Sequence, residues 1–303
     1  MSAPPAVPPR HPRRLVFLGT PAASVPALRA LVAAGFDIVL VISQPDRRRG
    51  RGGATSPSPV KAAALELGLA VTDRVEDAAA AGADLGVVVA YGEILRADLL
   101  AALPMVNIHF SLLPRWRGAA PVERALLAGD ETTGVCIMEV VEALDAGGVH
   151  AVAEIPIGPD ATAAELREEL SEVGARLLVE TLTAGLGEPT PQDGEPTYAK
   201  KIRPGDLFLD WSRPAAELHR VVRVGGAWTT FRGARLRVWE AHVDRAASGA
   251  EPGAVRLVDG AVVVAAGDGH LVLDEVQPEG RGRVLGPAWA NGARLADDEV
   301  LGA

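Results

Sequence analysis

A single cysteine in 303 residues rules out a disulfide framework, so stability has to come from an ordinary packed core. That residue, Cys136, lies in the apolar run Val135-Cys136-Ile137-Met138 and reads as a buried, inert thiol in a reducing compartment. Aromatic residues make up 4% of the chain against 48% for all hydrophobic types, so the core is built mainly of Ala, Val and Leu. No apolar stretch approaches the roughly 20 residues that a membrane helix needs. The Pro-rich start of the chain precedes only the short apolar run Leu15-Val16-Phe17-Leu18, which is no signal peptide, and a cytoplasmic location is expected. No His, Cys and carboxylate group shows metal-ligand spacing, so no metal is expected, and there are no internal repeats.

The length allows two domains, each with a substantial core. The formal charge of -9 argues against a uniformly basic surface, yet the charges are unevenly spread. Arginines cluster at Arg10, Arg13 and Arg14, at Arg47, Arg48, Arg49 and Arg51, at Arg115 and Arg117, and between Arg220 and Arg237, while acids crowd into residues 165–180 and the C-terminal end. Local basic faces on an acidic body are compatible with a nucleic-acid partner.

Strand-like and helix-like patterns alternate along the first half. Residues 14–18 read as a strand ending in Gly19-Thr20-Pro21, residues 25–34 as a helix, 37–42 as a strand, 59–67 as a helix, 85–90 and 105–109 as strands, and 121–128 as a helix. This order predicts an α/β domain with a Rossmann-like, mostly parallel sheet, whose ligands sit beyond the carboxyl ends of the strands. Gly19-Thr20 alone is no dinucleotide fingerprint, because the further glycines are absent. Strands at 135–140 and 149–155 follow, then a long amphipathic helix at 161–184 with Leu166, Leu170, Val173, Leu177 and Leu178 on its apolar face. The Gly- and Pro-rich stretch after residue 184 has no apolar period and reads as a linker. Beyond it, a helix at 214–224 and short strands at 235–241, 253–258, 261–266 and 271–276 suggest a small antiparallel barrel. The expected division is a disordered tail at 1–13, a first domain at 14–187, a linker at 188–205 and a second domain at 206–303.

Chemistry concentrates in Asn107-Ile108-His109, followed by Ser111-Leu112-Leu113-Pro114 and, downstream, by Asp145-Ala146-Gly147. A strand at 105–109 puts the Asn107 and His109 side chains on one face. Unpaired polar groups on a central strand are costly, which favours a site over a plain strand end. An amide, an imidazole and a carboxylate together can donate to a developing oxyanion, accept a proton and fix the imidazole tautomer, the needs of acyl transfer. Taken alone, Asp145-Ala146-Gly147 is equally a common turn between two strands.

The segment Asn107-Ile-His-Phe-Ser-Leu-Leu-Pro-Arg-Trp-Arg-Gly-Ala-Ala-Pro121 resembles the signature of the methionyl-tRNA formyltransferases. Gly19-Thr20-Pro21, Gln44-Pro45-Asp46, Ser56-Pro57-Ser58-Pro59-Val60-Lys61, Val89-Ala90-Tyr91-Gly92, Gly129-Asp130, Leu144-Asp145 and Thr197-Tyr198-Ala199-Lys200-Lys201-Ile202 agree with the same family in order. The resemblance implies a formyltransferase-type first domain, a C-terminal OB-like β-barrel domain that helps hold tRNA, and formyl transfer from 10-formyltetrahydrofolate to initiator methionyl-tRNA. It implies catalytic roles for Asn107, His109 and Asp145, a folate pocket lined by Ser111, Leu112, Leu113 and Pro114 with Tyr91 and Ile94 nearby, and a basic loop, Arg47, Arg48, Arg49 and Arg51, against the acceptor stem. Gly148 stands where the family often has Asp or Pro, and Gly53-Ala54 where it often has lysines. The same Asn, His and Asp set would also serve an amino-sugar formyltransferase or a deformylase, and a non-catalytic RNA-binding module could keep the fold.

Overall fold

The computed structural model describes residues 6–48, 55–244, 250–296 and 299–302. The chain divides into two compact units, one of residues 1–121, 132–156 and 167–199, the other of 122–131, 157–166 and 200–303.

Unit 1 alternates strand and helix: β1 (Arg14–Gly19), α1 (Val25–Ala33), β2 (Asp37–Ile42), β3 (Arg47–Arg48), β4 (Thr55–Ser56), α2 (Pro59–Glu66), β5 (Val71–Thr72), α3 (Asp77–Ala80), β6 (Leu85–Val89), α4 (Ala97–Ala102), β7 (Met105–His109) and β8 (Arg117–Gly118). After α5 (Pro121–Ala128) come β9 (Thr132–Glu139), β10 (Val149–Pro156), α6 (Ala163–Ala184) and β11 (Tyr198–Ala199). The main sheet runs β10-β9-β7-β6-β1-β2-β5. Its members from β7 to β5 are parallel, and β9 and β10 add antiparallel pairs at one edge. The mostly parallel α/β sheet expected from the alternation is therefore present.

The central strands are apolar because both of their faces are covered: Leu15, Val16, Phe17 and Leu18 of β1 are all fully buried. Helix α6 buries Leu170, Leu178 and Leu182 and leaves Val173 and Leu177 half-buried, as its 3.6-residue stripe requires. Gly174 in α6 permits a close approach to β7, since a Cβ there would stand 2.7 Å from Ile108 Cγ2. Ile108 thus points into the helix layer while its neighbours Asn107 and His109 point the other way.

Within the stretch expected to be a disordered tail, residues 6–13 pack on unit 1. Ala6 N–H donates to Leu100 O at 3.0 Å, Leu186 N–H donates to Arg10 O at 2.7 Å, and Pro12 is buried. A Pro-rich extended chain can satisfy its backbone in this way by pairing at the C-terminal ends of helices, here α4 and α6.

Unit 2 contains α7 (Ala215–Val224), β12 (Trp228–Phe231), β13 (Ala234–Asp244), β14 (Val255–Val258), β15 (Ala261–Ala265), β16 (His270–Pro278), β17 (Val284–Leu285) and α8 (Gly286–Ala293). Its antiparallel sheet runs β12-β13-β16-β15-β14, with β17 paired to β16. Val300 and Leu301 bridge both edges, Leu301 to Phe231 at the end of β12 and Val300 to Ala254 beside β14, so the curved sheet closes on itself. Leu218, Val221 and Val222 of α7 join Leu236, Val238, Val264, Leu273 and Trp289 in its core, and Leu127 of α5 packs against them. The arginines of the cluster between Arg220 and Arg237 differ in their surroundings. Arg235 and Arg237 are exposed on one face of β13, whereas Arg223 donates to the carbonyls of Gly158 at 3.1 Å and Ala161 at 3.2 Å.

Two outcomes test this packing. A Cβ at Gly134 in β9 would meet Ala153 O at 2.2 Å and Leu112 Cδ2 at 2.5 Å, so Gly134→Ala should lower the melting temperature. The expected cost is about 1–3 kcal/mol, and an unchanged melting curve would show that the strand has room. Tyr91 is 2% exposed, and burial together with the charge of Glu93 pushes its phenol from 10.0 up to about 12. Because the folded value lies above the unfolded one, this stabilisation is complete below pH about 10 and is lost as pH rises through about 12. In Tyr198→Phe, which leaves Tyr91 as the only tyrosine, phenolate absorbance of the folded chain should appear with a midpoint of about 12. A midpoint near 10 would contradict the burial.

Candidate active site

The order β6-β1-β2 reverses the direction of winding at β1, which opens a crevice beyond the carboxyl ends of β1 and β6. A cleft of about 300 Å³ occupies it, lined by Thr20, Pro21, Gln44, Pro45, Ser56, Ser58, Ala90, Tyr91 and Gly92. Side-chain hydroxyls hold its rim: Ser24 Oγ donates to Val89 O at 2.6 Å, and Thr20 Oγ1 donates to Tyr91 O at 3.0 Å. Ala90 and Gly92 follow β6 with positive φ of 45° and 87°, which turns the chain sharply at the end of the strand.

One strand further along, β7 presents Asn107 and His109. His109 is 5% exposed. Its Nε2 donates to the carbonyl of Trp116 at 3.0 Å, and its Nδ1 stands 3.7 Å from Asp145 Oδ2. An imidazolium would therefore have an acceptor at each nitrogen. The His109–Asp145 separation is an ion-pair distance rather than a hydrogen bond, and the short contact of Asp145 is with Gly118, whose N–H donates to Oδ2 at 2.7 Å. Asn107 is half-buried, and among the described residues its side-chain amide has no hydrogen-bond partner.

Asp145 reaches this place against the run of the sheet. Strand β9 is antiparallel to β7 and pairs Glu139 with Val106, so it ends at the far end of β7 from His109. The β9–β10 connection folds back to return Asp145 to the imidazole. Asp145 takes φ +47°, a left-handed conformation that Asp tolerates better than most residues, and a Cβ on Gly147 would meet Glu139 O at 2.1 Å. Trp116, whose carbonyl faces His109, also takes a positive φ of 63°. A left-handed backbone at two non-glycine residues costs roughly 1–2 kcal/mol each, so both loops need holding from outside.

The expected folate-lining residues occupy different environments. Ser111 is fully buried and its hydroxyl donates to Arg115 O at 2.6 Å, closing the turn after β7. Leu113 N–H donates to Cys136 Sγ at 3.5 Å, which gives the buried thiol a structural use. Leu112, Leu113 and Pro114 are half-buried. Tyr91 lies in a core cluster with Val16, Leu18 and Leu100, whereas Ile94 is 84% exposed. Arg47 and Arg48 form β3, which pairs with β4, and Arg49 and Arg51 lie outside the described residues.

Sequence reasoning missed four participants. Arg117 and Gly118 belong to one of the two loops around His109, and Gln192 and Thr197 bind these loops from the stretch expected to be a linker. Gln192 Nε2 donates to Asp145 O and Gly147 O, each at 2.8 Å, and its Oε1 accepts from Arg117. Thr197 Oγ1 accepts from Trp116 N–H at 2.8 Å. An isolated Gln in a Gly- and Pro-rich run carries no periodic signal, and only the familiar Thr197-Tyr198-Ala199 marked the region.

Among the described residues no group of three or more His, Cys, Asp or Glu is placed to hold a metal, and no helix is long and apolar enough to cross a membrane. A family profile described as formyl transferase matches residues 13–182, and one described as formyl transferase, C-terminal domain, matches residues 201–294. The methionyl-tRNA formyltransferase of Symbiobacterium thermophilum is 46% identical over 301 residues, spanning 92% of each chain. That of Heliobacterium modesticaldum is 42% identical over 308 residues, spanning 93% of this chain and 98% of its own. Among solved structures, the N-formyltransferase of Helicobacter canadensis with folinic acid and dTDP-3-aminofucose superposes with a TM-score of 0.67 at 15% identity, covering 87% of this chain and 98% of its own. HypX of Aquifex aeolicus with tetrahydrofolic acid gives 0.65 at 19%, covering 92% of this chain and 47% of its own; both likenesses concern the fold alone. With relatives this similar along nearly its whole length, the chain belongs to the methionyl-tRNA formyltransferase family.

Proposed function

We propose that this chain transfers the formyl group of 10-formyltetrahydrofolate to the free α-amine of methionyl-tRNA on the initiator tRNA, in the cytoplasm. The observation that carries the reading is the 46% identity to a methionyl-tRNA formyltransferase across both units, in a chain whose β7 sets Asn107 and His109 on one face with Asp145 3.7 Å from the imidazole. An amino-sugar acceptor shares the fold, but no specific observation favours it.

The attacking amine must be neutral, and an α-amino group titrates near about 8, so a base beside it is useful at neutral pH. Its nitrogen bonds to the formyl carbon, and the carbonyl electrons move onto oxygen, where the free amide N–H of Asn107 stabilises them. His109 takes the amine proton. The resulting imidazolium has the Asp145 carboxylate at Nδ1 and the Trp116 carbonyl at Nε2. Because Nε2 already donates to Trp116 O, the nitrogen left to accept the proton is Nδ1, on the Asp145 side. Collapse breaks the bond from the formyl carbon to N10 of the folate, which leaves with the proton. In this reading Leu112, Leu113 and Pro114 supply apolar surface for the folate, Ser111 fixes their turn, and Tyr91 backs the neighbouring cleft. Ile94 would meet ligand only at the surface.

The first domain, 14–187, carries the reaction centre in this proposal, and the residues beyond 205 supply RNA affinity, with Arg235 and Arg237 as exposed cations. The loop holding Arg47, Arg48, Arg49 and Arg51 engages acceptor-stem phosphates.

Initiator methionyl-tRNA mixed with 10-formyltetrahydrofolate should yield formylmethionyl-tRNA and free tetrahydrofolate, faster than elongator methionyl-tRNA does. Equal rates would remove the initiator preference, and transfer to an amino-sugar nucleotide instead would overturn the reading. His109→Ala should lower turnover by about two to four powers of ten while tetrahydrofolate still binds. Asn107→Asp should do comparable damage by turning a donor into a charge that faces the oxyanion, and a fully active variant would take Asn107 out of the mechanism. Replacing the four loop arginines with Ala should weaken tRNA binding and flatten its salt dependence by about one in slope for each phosphate no longer neutralised. An unaltered slope would leave the loop as solvated surface.

A further inference from the structure

We infer that Gln192 is a positioning residue of the transfer centre, acting through Asp145 and the Arg117 loop, an inference that rests on the proposed formyl transfer. Its carboxamide is saturated. Both amide hydrogens are spent on the carbonyls of Asp145 and Gly147 at 2.8 Å, and both lone pairs of Oε1 on Arg117, from Nε at 3.0 Å and Nη2 at 2.6 Å. The partners also fix which end is which, since carbonyls can only accept and a guanidinium can only donate. No other orientation of this side chain satisfies all four groups.

What Gln192 joins are the two loops that contact His109. On one side stands the left-handed Asp145 turn, and on the other the segment carrying the Trp116 carbonyl and the Gly118 N–H that binds Asp145 Oδ2. The resulting ring, from Gln192 through Arg117, Gly118 and Asp145 back to Gln192, fixes the carboxylate in two directions. Thr197 continues the clasp five residues on. Its carbonyl accepts from Arg117 N–H at 2.8 Å, and β11 pairs with β8, Tyr198 opposite Arg117 and Ala199 opposite Gly118. Each contact is modest, about 1 kcal/mol net, or somewhat more where the guanidinium is the donor. Their value lies in geometry, because misplacing a reacting group by about 1 Å can cost about 10²-fold in rate.

The test compares Gln192→Met, which keeps the length and removes every hydrogen bond, with Gln192→Glu, which keeps the acceptor for Arg117 and sets an oxygen against the two carbonyls. Both should lower kcat for formyl transfer by about 10- to 100-fold, with KM for 10-formyltetrahydrofolate within about threefold of the unaltered chain. In an Asp145→Asn background, where the carboxylate is already gone, Gln192→Met should cost less than threefold more in single-turnover rate. Wild-type kcat in Gln192→Met would overturn the inference, as would an undiminished loss in the Asp145→Asn background. So would parallel loss of melting temperature and tetrahydrofolate binding in both variants, which assigns Gln192 to stability alone. The unaltered chain is assayed first, and its failure to formylate methionyl-tRNA would instead overturn the reading on which the inference rests.

Discussion

A nearly buried imidazole needs partners for both ring nitrogens, and the protein must bring those partners in from outside the strand that carries it. For His109 they come from two loops, through Trp116 O and Asp145 Oδ2, and each loop adopts a left-handed residue to present its oxygen. Neither loop is held by a long ladder of its own. The rest of unit 1 can be understood as the support this arrangement requires: a wall of fully buried strands behind β7, Gly174 drawing α6 onto Ile108, and a late segment that returns to tie the loops together.

The same dependence explains what was legible in the sequence. Strands β1, β2 and β7 were bounded closely because central strands covered on both faces must be continuous apolar runs, and α6 because its leucines repeat every turn. Asn107 and His109 stood out as polar residues interrupting such a run. Strands β8 and β11 are two residues long, too short for any period to exist, and their pairing joins positions roughly 80 residues apart. The support for Asp145 was hidden for the same reason. Gln192 lies in a stretch whose glycines and prolines describe a loop correctly and are silent about where the loop goes. The Pro-rich start presents a parallel case, since composition suggested a disordered tail at 1–13 while Pro12 and the backbone of Ala6 and Arg10 have places on the unit.

Charge tells a further part. A protein with net charge -9 has to localise any affinity for phosphate, and on β13 the two-residue period exposes Arg235 and Arg237 while Leu236 and Val238 enter the core. On α7 a similar spacing leads elsewhere, because Arg223 is drawn in to two backbone carbonyls. Spacing predicts a shared face, but only packing decides whether that face meets solvent or another segment.

Unit 2 is assembled from residues 122–131, 157–166 and 200–303, so the covalent chain enters it three times. Its core claims Leu127 from the first segment, and Arg223 holds Gly158 and Ala161 from the second. A gene fusion or recombination event that exchanges everything beyond a single junction near residue 200 would therefore import most of a unit and leave its other pieces behind. The incoming core would meet a foreign helix where Leu127 had fitted, and the incoming helix would lack the carbonyls that had accepted hydrogen bonds from its half-buried guanidinium. Moving unit 2 intact therefore means moving three separate segments of chain rather than one.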